Sequence, residues 1–435
     1  MLKISNSAKK SNTDLIITGF SIIFILTAIN AIFYSIGYAF SIKVGTYIYT
    51  GDYLADLYKV TLSYPKAREL MESGSLTFPD ILSPLLNVYY KYTYLGKEGL
   101  SIDQLTHFHL PPLTTALVFL LLNGFSIFGF IGTTFALLAA TFGLIIFASK
   151  LAVENKIEAY LFAMLIFISY PFIFLIQRGN FFAFFSFVFI LFAILGLKKG
   201  KVLLPILLIA LAINIRPNLI IYVTLLYFWP TRSFSRPIIA IVISLLIFIT
   251  SLAFDTHIYP DYTLHNFRRG LEIYNTLFVT GDWGFGYSSS LFTLSKFLTK
   301  ILGINLITIY AINFQIVFTL LSGIYIFWLY FKKYIRSTSF VFLITALSML
   351  GTPIFADYHL LLFTIPAILV LMDQANRDGQ NEQTTKINNI IFFTCCLMLS
   401  PLNYINYDGL YVFNLIKTLT AIFVGVYIIR KKVVL

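Results

Sequence analysis

Long apolar runs recur along almost the whole chain, separated by short polar segments. A run of about 20 apolar residues is long enough to cross a lipid bilayer as a helix. Only 11% of the 435 residues are charged, which is too few to cover the surface of a soluble protein of this length. The sequence therefore predicts an all-α polytopic membrane protein, with residues 1–435 forming a single integral membrane domain.

We expect eleven to thirteen transmembrane helices, although several runs are short for a full crossing. The candidate spans are 15–40, 110–125, 126–149, 157–176, 180–197, 202–214, 217–229, 237–254, 303–330, 338–353, 359–372, 387–400 and 409–429. The first run is too long for the core of a signal peptide, so we interpret it as a retained first helix. Pro111-Pro112 and Asn123-Gly124 predict that 110–125 enters the membrane and returns, or lies partly submerged.

The basic residues form short clusters between the apolar runs, which is the positive-inside pattern of cytoplasmic loops. The clusters are Lys3/Lys9/Lys10, Lys150/Lys156, Lys198/Lys199/Lys201, Arg232/Arg236, Lys332/Lys333/Arg336, Arg377/Lys386 and Arg430/Lys431/Lys432. This distribution accounts for the net charge of +12 without a nucleic-acid partner. It predicts a multi-pass protein of the cell membrane with a cytoplasmic N-terminus. Two large segments then lie outside, 41–109 with interfacial helices and 255–300.

With the sides assigned in this way, the unusual polar residues fall on the non-cytoplasmic face. They are Asp52 and Asp56 in GDYLAD, His107 and His109 in THFHLPP, Gln177, Arg178 and Asn180 in QRGN, Arg216 in NIRPN, and Asp357 and His359 in ADYHLLLF. Ionisable groups at the ends of spans are costly and tend to line functional cavities. We therefore expect these residues to meet in one pocket on the outer face.

Each of these groups also has a purely structural interpretation. The aspartates are then solvated loop acids, the histidines pack beside the proline pair, and the arginines anchor helices at the interface. We favour function for the arginines because QRGN and NIRPN leave almost no loop around Arg178 and Arg216. Gly179 and Pro217 break the helices there, which frees backbone groups to face a cavity.

No motif of a soluble enzyme is present. The chain lacks a phosphate loop and the HExxH, G-x-S-x-G and GxGxxG patterns, so nothing indicates a nucleotide donor or another cofactor. His107 and His109 have no metal-ligand partners at helical spacing, and we predict no metal site. Whether the acids of the outer segments bind a divalent ion is left open by the sequence.

The order of these features resembles the GT-C class of polytopic glycosyltransferases and, within it, glycosyltransferase family 87. The resemblance rests on five segments spread over most of the chain, GDYLADLY, HLPPL, QRGN, NIRPN and ADYHLLL. Three positions depart from the family pattern. His-Leu replaces tyrosine before the proline pair, the amide/Gly junction is shifted to Gln177-Arg178, and Arg216 stands in place of lysine.

The resemblance implies a GT-C-like bundle that transfers a mannose-like hexose from a polyprenyl-phosphate sugar to a lipid-linked or glycan acceptor. Asp52 or Asp56 would take the proton of the acceptor hydroxyl. Arg178, Arg216 and His359 would hold the departing phosphate. The further residues expected at the substrates are His107, His109, Gln177, Asn180 and Asp357. Membrane lipids, the lipid-linked donor and the glycan or glycolipid acceptor are the partners implied.

Two other function classes stay open. O-antigen or capsule polymerases and ligases are also polytopic and use lipid-linked sugars, but they usually place their key residues in one large late outer loop. A non-enzymatic lipid or glycolipid transporter tends to have pseudo-symmetric halves with matching broken helices. The sequence shows no internal repeat of that kind.

Overall fold

The structure, a computed structural model, is almost entirely helical. It describes residues 12–39, 110–258, 260, 263–275, 279, 288–302, 306–353, 355–375, 382–402, 406–407, 410–411 and 414–431. The α-helices are α1 (Asn12–Ala39), α2 (Pro112–Ala152), α3 (Lys156–Phe167), α4 (Tyr170–Arg178), α5 (Phe181–Lys198), α6 (Leu203–Ile215), α7 (Val223–Phe228), α8 (Ser235–Ile258), α9 (Leu264–Tyr274), α10 (Leu291–Leu302), α11 (Leu306–Phe331), α12 (Ser337–Gly351), α13 (Thr364–Ala375), α14 (Glu382–Met398) and α15 (Asn414–Arg430).

Shorter elements of two kinds, 3₁₀ helices and strands, lie between these helices. A 3₁₀ helix, Pro217–Tyr222, leads into α7, and a second one, Asp357–Phe363, leads into α13. Two antiparallel strands of two residues each, β1 (Asn406–Tyr407) and β2 (Leu410–Tyr411), form a small hairpin before α15.

The predicted spans fall on helical structure, which confirms the helical prediction, with one exception among the described residues: the span 409–429 begins on strand β2 (Leu410–Tyr411) and becomes helical only at Asn414. One break differs from the prediction. The helix α2 runs through Asn123-Gly124 without interruption, and its backbone leaves helical geometry at Gly129 instead, with φ 70° and ψ 168°. Glycine adopts positive φ without steric cost because it has no Cβ, which explains why the kink lies at this residue.

Five of the described helices, α1, α2, α5, α8 and α11, contain stretches that are long and apolar enough to cross a membrane. The pair α3 and α4 passes the same test together, with a bend of 58° between its two halves. The protein is therefore an all-α, multi-pass membrane protein. The number of eleven to thirteen spans and the orientation stay predictions.

Burial differs sharply between these helices. The most apolar stretch of α5 is 72% buried inside the protein, whereas that of α8 is only 11% buried. The helix α8 exposes large apolar side chains such as Ile238, Leu245 and Ile249. In water such a continuous apolar surface is unfavourable, so lipid is the environment that suits α8.

The described residues divide into two compact units. Unit 1 takes its residues from Met1–Ile48, Ile145–Ile173 and Gly284–Leu435, and unit 2 from Tyr49–Leu144 and Phe174–Trp283. The segment predicted as outer loop, 41–109, lies entirely outside the described residues. The second predicted outer segment, 255–300, begins in the last turn of α8 and contains two amphipathic helices, α9 and α10.

Unit 1 is organised around α12. All residues from Thr338 to Leu350 are buried, and α12 packs against α10, α11, α13, α14 and α15. A side-chain hydrogen bond links α11 to this central helix: Gln315 Nε2 donates to the carbonyl oxygen of Leu350 at 2.9 Å.

In unit 2, α6 packs between α5 and α8. Asn214, near the end of α6, is buried, and its amide donates to the carbonyl oxygen of Ala210 and to Ser244 Oγ of α8, each at 2.9 Å. In an apolar environment such a bond holds two helices in one register because the alternative is an unsatisfied amide.

Gly351→Ala should destabilise the protein, because a Cβ at this position would lie 2.5 Å from Thr319 Oγ1 and 2.7 Å from Thr319 Cγ2. We expect a loss of about 1–3 kcal/mol of unfolding free energy, as for other overpacked interiors. The change is measured as a lower thermal unfolding midpoint of the detergent-purified protein.

Gly143→Ala is the matched control, because no atom lies within 4 Å of a Cβ at that helical position. Combining Gly351→Ala with Thr319→Ala removes the two closest atoms and should restore part of the stability. An unchanged midpoint in Gly351→Ala would contradict the packing described here.

Candidate functional site

Two polar centres stand out, one in each unit. The first, which we call the arginine junction, comprises residues 177–180 and 214–218 of unit 2. The second, the carboxylate centre, comprises Asp357 of unit 1 and the side chains that bind it. Both contain residues that the sequence predicts to be functional.

The first half of the arginine junction is a sharp turn between α4 and α5. The N–H of Asn180 donates to the carbonyl oxygen of Leu175 and the N–H of Gly179 to that of Ile176, both at 3.1 Å. These two hydrogen bonds, together with the positive φ of 68° at Gly179, form a Schellman motif, which ends α4 within two residues. Asn180 then caps α5, because its Oδ1 accepts from the N–H of Ala183 at 3.0 Å.

The second half is the step from α6 into the first 3₁₀ helix. Arg216 has extended backbone, φ −138° and ψ 94°, as expected for the residue before a proline. Its side chain does not cap the 3₁₀ helix that begins at Pro217. The guanidinium group instead reaches the α4–α5 turn, where Nη2 lies 3.4 Å from Asn180 Oδ1.

The arginine junction therefore brings Arg216 and Asn180 together, as the sequence predicts for residues of one site. Gln177 and Arg178 are half-buried on the last turn of α4, directly before this contact. Arg216 Nε is buried and makes no hydrogen bond within the described residues. A guanidinium with a donor left over next to a helix break is suited to bind a phosphate or carboxylate oxygen.

Tyr274, the last residue of α9, joins this cluster and was missed by the sequence reasoning. Burial raises the pKa of the Tyr274 phenol, and the positive charge of the nearby Arg216 guanidinium opposes that rise. The phenol is therefore protonated at neutral pH and carries a hydrogen-bond donor beside the arginine. The available signal in the sequence was the amphipathic spacing of LHNFRRGLEIY, which predicts a helix with one face against the protein.

The carboxylate centre is completely enclosed, since Asp357 is 0% exposed. Asp357 Oδ1 accepts from the Ser289 hydroxyl at 3.0 Å and Oδ2 from the Asn414 amide at 3.1 Å. The Tyr170 hydroxyl is a further hydrogen-bond donor to this carboxylate. Three neutral donors from three separate segments thus hold one acid inside unit 1.

Lys417 is the basic residue whose charge acts on this acid. It is also 0% exposed, and its Nζ lies 5.2 Å from the centre of the Tyr170 ring. The Nζ group makes no hydrogen bond within the part of the chain that the structure describes. A buried lysine near a single carboxylate depends on that charge, because a lone buried ammonium is costly.

Backbone pairing fixes Asp357 in this position. The N–H of Ser289 donates to the carbonyl oxygen of Phe355 at 3.1 Å, and the N–H of Phe355 donates to Ser288 Oγ at 3.1 Å. Ser290 Oγ donates to the carbonyl oxygen of Pro353 at 2.9 Å. The sequence carried no prediction for these serines, whose only signal was their run of three in GYSSSLF.

His359 follows on the first turn of the second 3₁₀ helix. Its ring is half-buried and lies 4.6 Å from the ring centre of Tyr358 and 5.2 Å from that of Phe355. His359 is thus partly exposed as a residue whereas Asp357 is enclosed, but both ring nitrogens of His359 are buried.

The remaining predicted site residues, Asp52, Asp56, His107 and His109, lie outside the described residues. Among the described residues no group of three His, Cys, Asp or Glu side chains could hold a metal ion. The absence of a metal site stays a prediction, because Asp52 and Asp56 are not among the described residues.

Comparison with protein-family models, with curated proteins and with solved structures finds no match to this chain.

Asn180→Ala should lower stability, because it removes the cap of α5 and the acceptor for Arg216. The expected loss is about 1 kcal/mol, typical of an N-cap. Asn180→Asp keeps the cap and offers Arg216 a charged acceptor, so it should unfold at or above the wild-type temperature. Equal unfolding temperatures for the alanine variant and the wild type in a thermal melt would show that neither contact matters.

Asp357→Asn should destabilise unit 1 by about 1–3 kcal/mol, because the amide is a poorer acceptor for Ser289, Asn414 and Tyr170 and no longer attracts the charge of Lys417. Adding Lys417→Met removes that charge with a side chain of similar length and should recover much of the loss. The two single variants and the double variant form a thermodynamic cycle whose coupling energy is read from unfolding midpoints. Purely additive losses would contradict the pairing of these two residues.

Proposed function

We propose that the protein is a membrane glycosyltransferase that moves a hexose from a polyprenyl-phosphate sugar to a glycan or glycolipid acceptor. The observation that carries the proposal is the contact of Arg216 with Asn180 at the arginine junction. Arg216 keeps a buried donor available there, with the half-buried Arg178 on the adjoining turn.

The proposed chemistry assigns the arginine junction to the leaving group. The acceptor hydroxyl oxygen attacks the anomeric carbon while the bond from that carbon to the phosphate oxygen breaks. The phosphate takes the electron pair of that bond, so negative charge grows on it as the sugar departs. Arginines aimed at this phosphate stabilise the transition state more than the ground state.

The proton of the acceptor hydroxyl goes to a carboxylate, and we assign this role to Asp52 or Asp56 of the GDYLAD segment. A general base positioned in this way contributes about 10²–10⁴-fold to a rate. Polyprenyl phosphate needs no proton to leave, so a single base is sufficient for an inverting displacement.

The arrangement of the short helices supports entry of a lipid-linked donor. At the arginine junction the chain passes from α6 through a 3₁₀ helix into α7, and both pieces after the break have only 6 residues. Irregular backbone at membrane depth is tolerated where it faces protein or a polar cavity rather than lipid. Such a cavity beside the bilayer would admit the phosphate while its polyprenyl chain stays in the membrane.

A non-enzymatic glycolipid transporter is the second candidate, and one recurring feature favours it. In unit 2 a charged residue, Arg216, precedes a 3₁₀ helix and a short α-helix. In unit 1 Asp357 opens a 3₁₀ helix that continues into α13. Broken helices that recur along a chain mark the substrate sites of many transporters.

Arg216→Ala should slow transfer of a hexose from a polyprenyl-phosphate donor by about 10²–10³-fold, the cost of losing one donor to a developing charge. The assay uses purified protein, the lipid-linked donor and a glycan acceptor, with no nucleotide present. Arg232→Ala is the matched control, because it removes an exposed arginine from the predicted cytoplasmic face. Unchanged kinetics in Arg216→Ala would remove this residue from the site.

Asp52→Asn and Asp56→Asn test which of the two aspartates acts as the general base. One of them should abolish transfer while expression and donor binding persist, because the amide cannot accept the proton. Full transfer in both single variants and in the double variant would defeat the base assignment. Uptake of the lipid-linked sugar into vesicles without any transfer would favour the transporter instead.

A further inference from the structure

A small cavity with a mostly apolar lining lies in unit 1, well apart in sequence from the residues proposed for transfer. It is formed by the chain just before and within the first turn of α12, by the start of α14 and by the end of α15. Its apolar lining consists of Ile335, Ile387 and Ile428, and its polar lining includes Arg336, Ser339 and Asn388. The cavity volume is about 10 Å³, which is room for a single oxygen atom.

Two hydrogen-bond donors in this cavity have no acceptor among the described residues. Asn388 is only 2% exposed, and its Nδ2 is buried without a hydrogen bond. Arg336 Nε is likewise buried without one. Buried donors in native proteins are almost always paired, so two unpaired donors on residues that line one cavity indicate a missing acceptor.

The backbone adds positive potential at the same place. Arg336 is the N-cap residue of α12, and its side chain makes no capping hydrogen bond. The N–H groups of the first helical turn and the helix dipole therefore favour negative charge beside Ser339. No acid is among the residues that line the cavity, and Asp373, which accepts from the Thr338 hydroxyl, is not one of them.

Exposed basic residues lie within four positions of the lining residues on all three segments. They are Lys332 and Lys333 before α12, Lys386 in α14, and Arg430 and Lys431 at the end of α15. Glu382 is the exposed acid at the start of α14. The outer side of α15 is apolar, with Phe423 69% and Val426 44% exposed.

We propose that this cavity binds one oxygen of a phosphate group, with the rest of that group lying among these neighbouring basic residues. Arg336 and Asn388 donate hydrogen bonds to the oxygen, and the N-terminus of α12 adds its partial positive charge. The phosphate comes from a phospholipid headgroup, whose acyl chains would lie along the apolar side of α15, or from free inorganic phosphate. The site does not depend on the proposed glycosyl transfer.

The test measures binding to delipidated, detergent-purified protein by native mass spectrometry and by thermal shift titration. Three probes are compared, namely short-chain phosphatidylglycerol, inorganic phosphate, and a diacylglycerol of the same chain length that has no phosphate. Arg336→Gln should weaken phosphate-dependent binding by about tenfold, because it removes a charge-assisted donor. Arg232→Gln is the matched control, since it makes the same change at an exposed arginine outside the cavity and should change binding less than about twofold.

The probes distinguish the two sources. Binding of phosphatidylglycerol alone, lost in Arg336→Gln, identifies a lipid headgroup, and the same loss with inorganic phosphate identifies a soluble anion. Absence of phosphate-dependent binding to the wild type overturns the proposal and leaves a water as the occupant. Equal weakening in Arg336→Gln and Arg232→Gln also overturns it, because binding is then only general attraction to positive charge.

Asn388→Asp provides a second test if Arg336→Gln does not fold. Its side chain has nearly the same shape as asparagine, but it replaces a donor with a negative charge inside the cavity. Phosphate-dependent binding should disappear in this variant, and its persistence would contradict the proposal.

Discussion

A polar group surrounded by apolar protein and lipid has to find its partner inside the fold, and most of the described architecture follows from this requirement. Asp357 satisfies it with a serine, an asparagine and a tyrosine from separate segments, and the charge of Lys417 acts on it. Asn214 satisfies it by bonding α6 to α8. These bonds fix the helices in place more specifically than packing of Leu, Ile and Phe side chains alone, because an unpaired partner is costly.

The same requirement explains where the helices break. At the arginine junction a Schellman turn and a proline leave short helical pieces, and the side chains of Asn180 and Arg216 meet where the backbone ladder is interrupted. Irregular backbone in a membrane protein needs a polar or protein-lined surrounding. Breaks and charged side chains therefore occur together, and this is the combination that a phosphate-bearing lipid substrate requires.

Much of the fold was predictable because apolar runs directly specify helices. The short-range features of the site were also predictable, since Pro217 forces extended backbone on Arg216 and Gly179 permits the turn that places Asn180. The side chains that contact these site residues were not predictable. Tyr274, Ser289 and Asn414 are ordinary polar residues whose roles depend on contacts with residues far away in sequence, and no local pattern encodes such contacts. The break in α2 was misplaced for a related reason, because Gly124 and Gly129 look alike in sequence and only the fold selects between them.

The central claim is that the arginine junction serves the transfer of a sugar from a lipid phosphate. Its most direct test is mass spectrometry of lipid-linked glycans from cells that lack the gene, complemented with either the wild type or Arg216→Ala. Our account predicts an accumulated acceptor one hexose short, which the wild-type gene corrects and the Arg216→Ala gene does not. Glycans identical to those of unmodified cells, or full correction by Arg216→Ala, would contradict it.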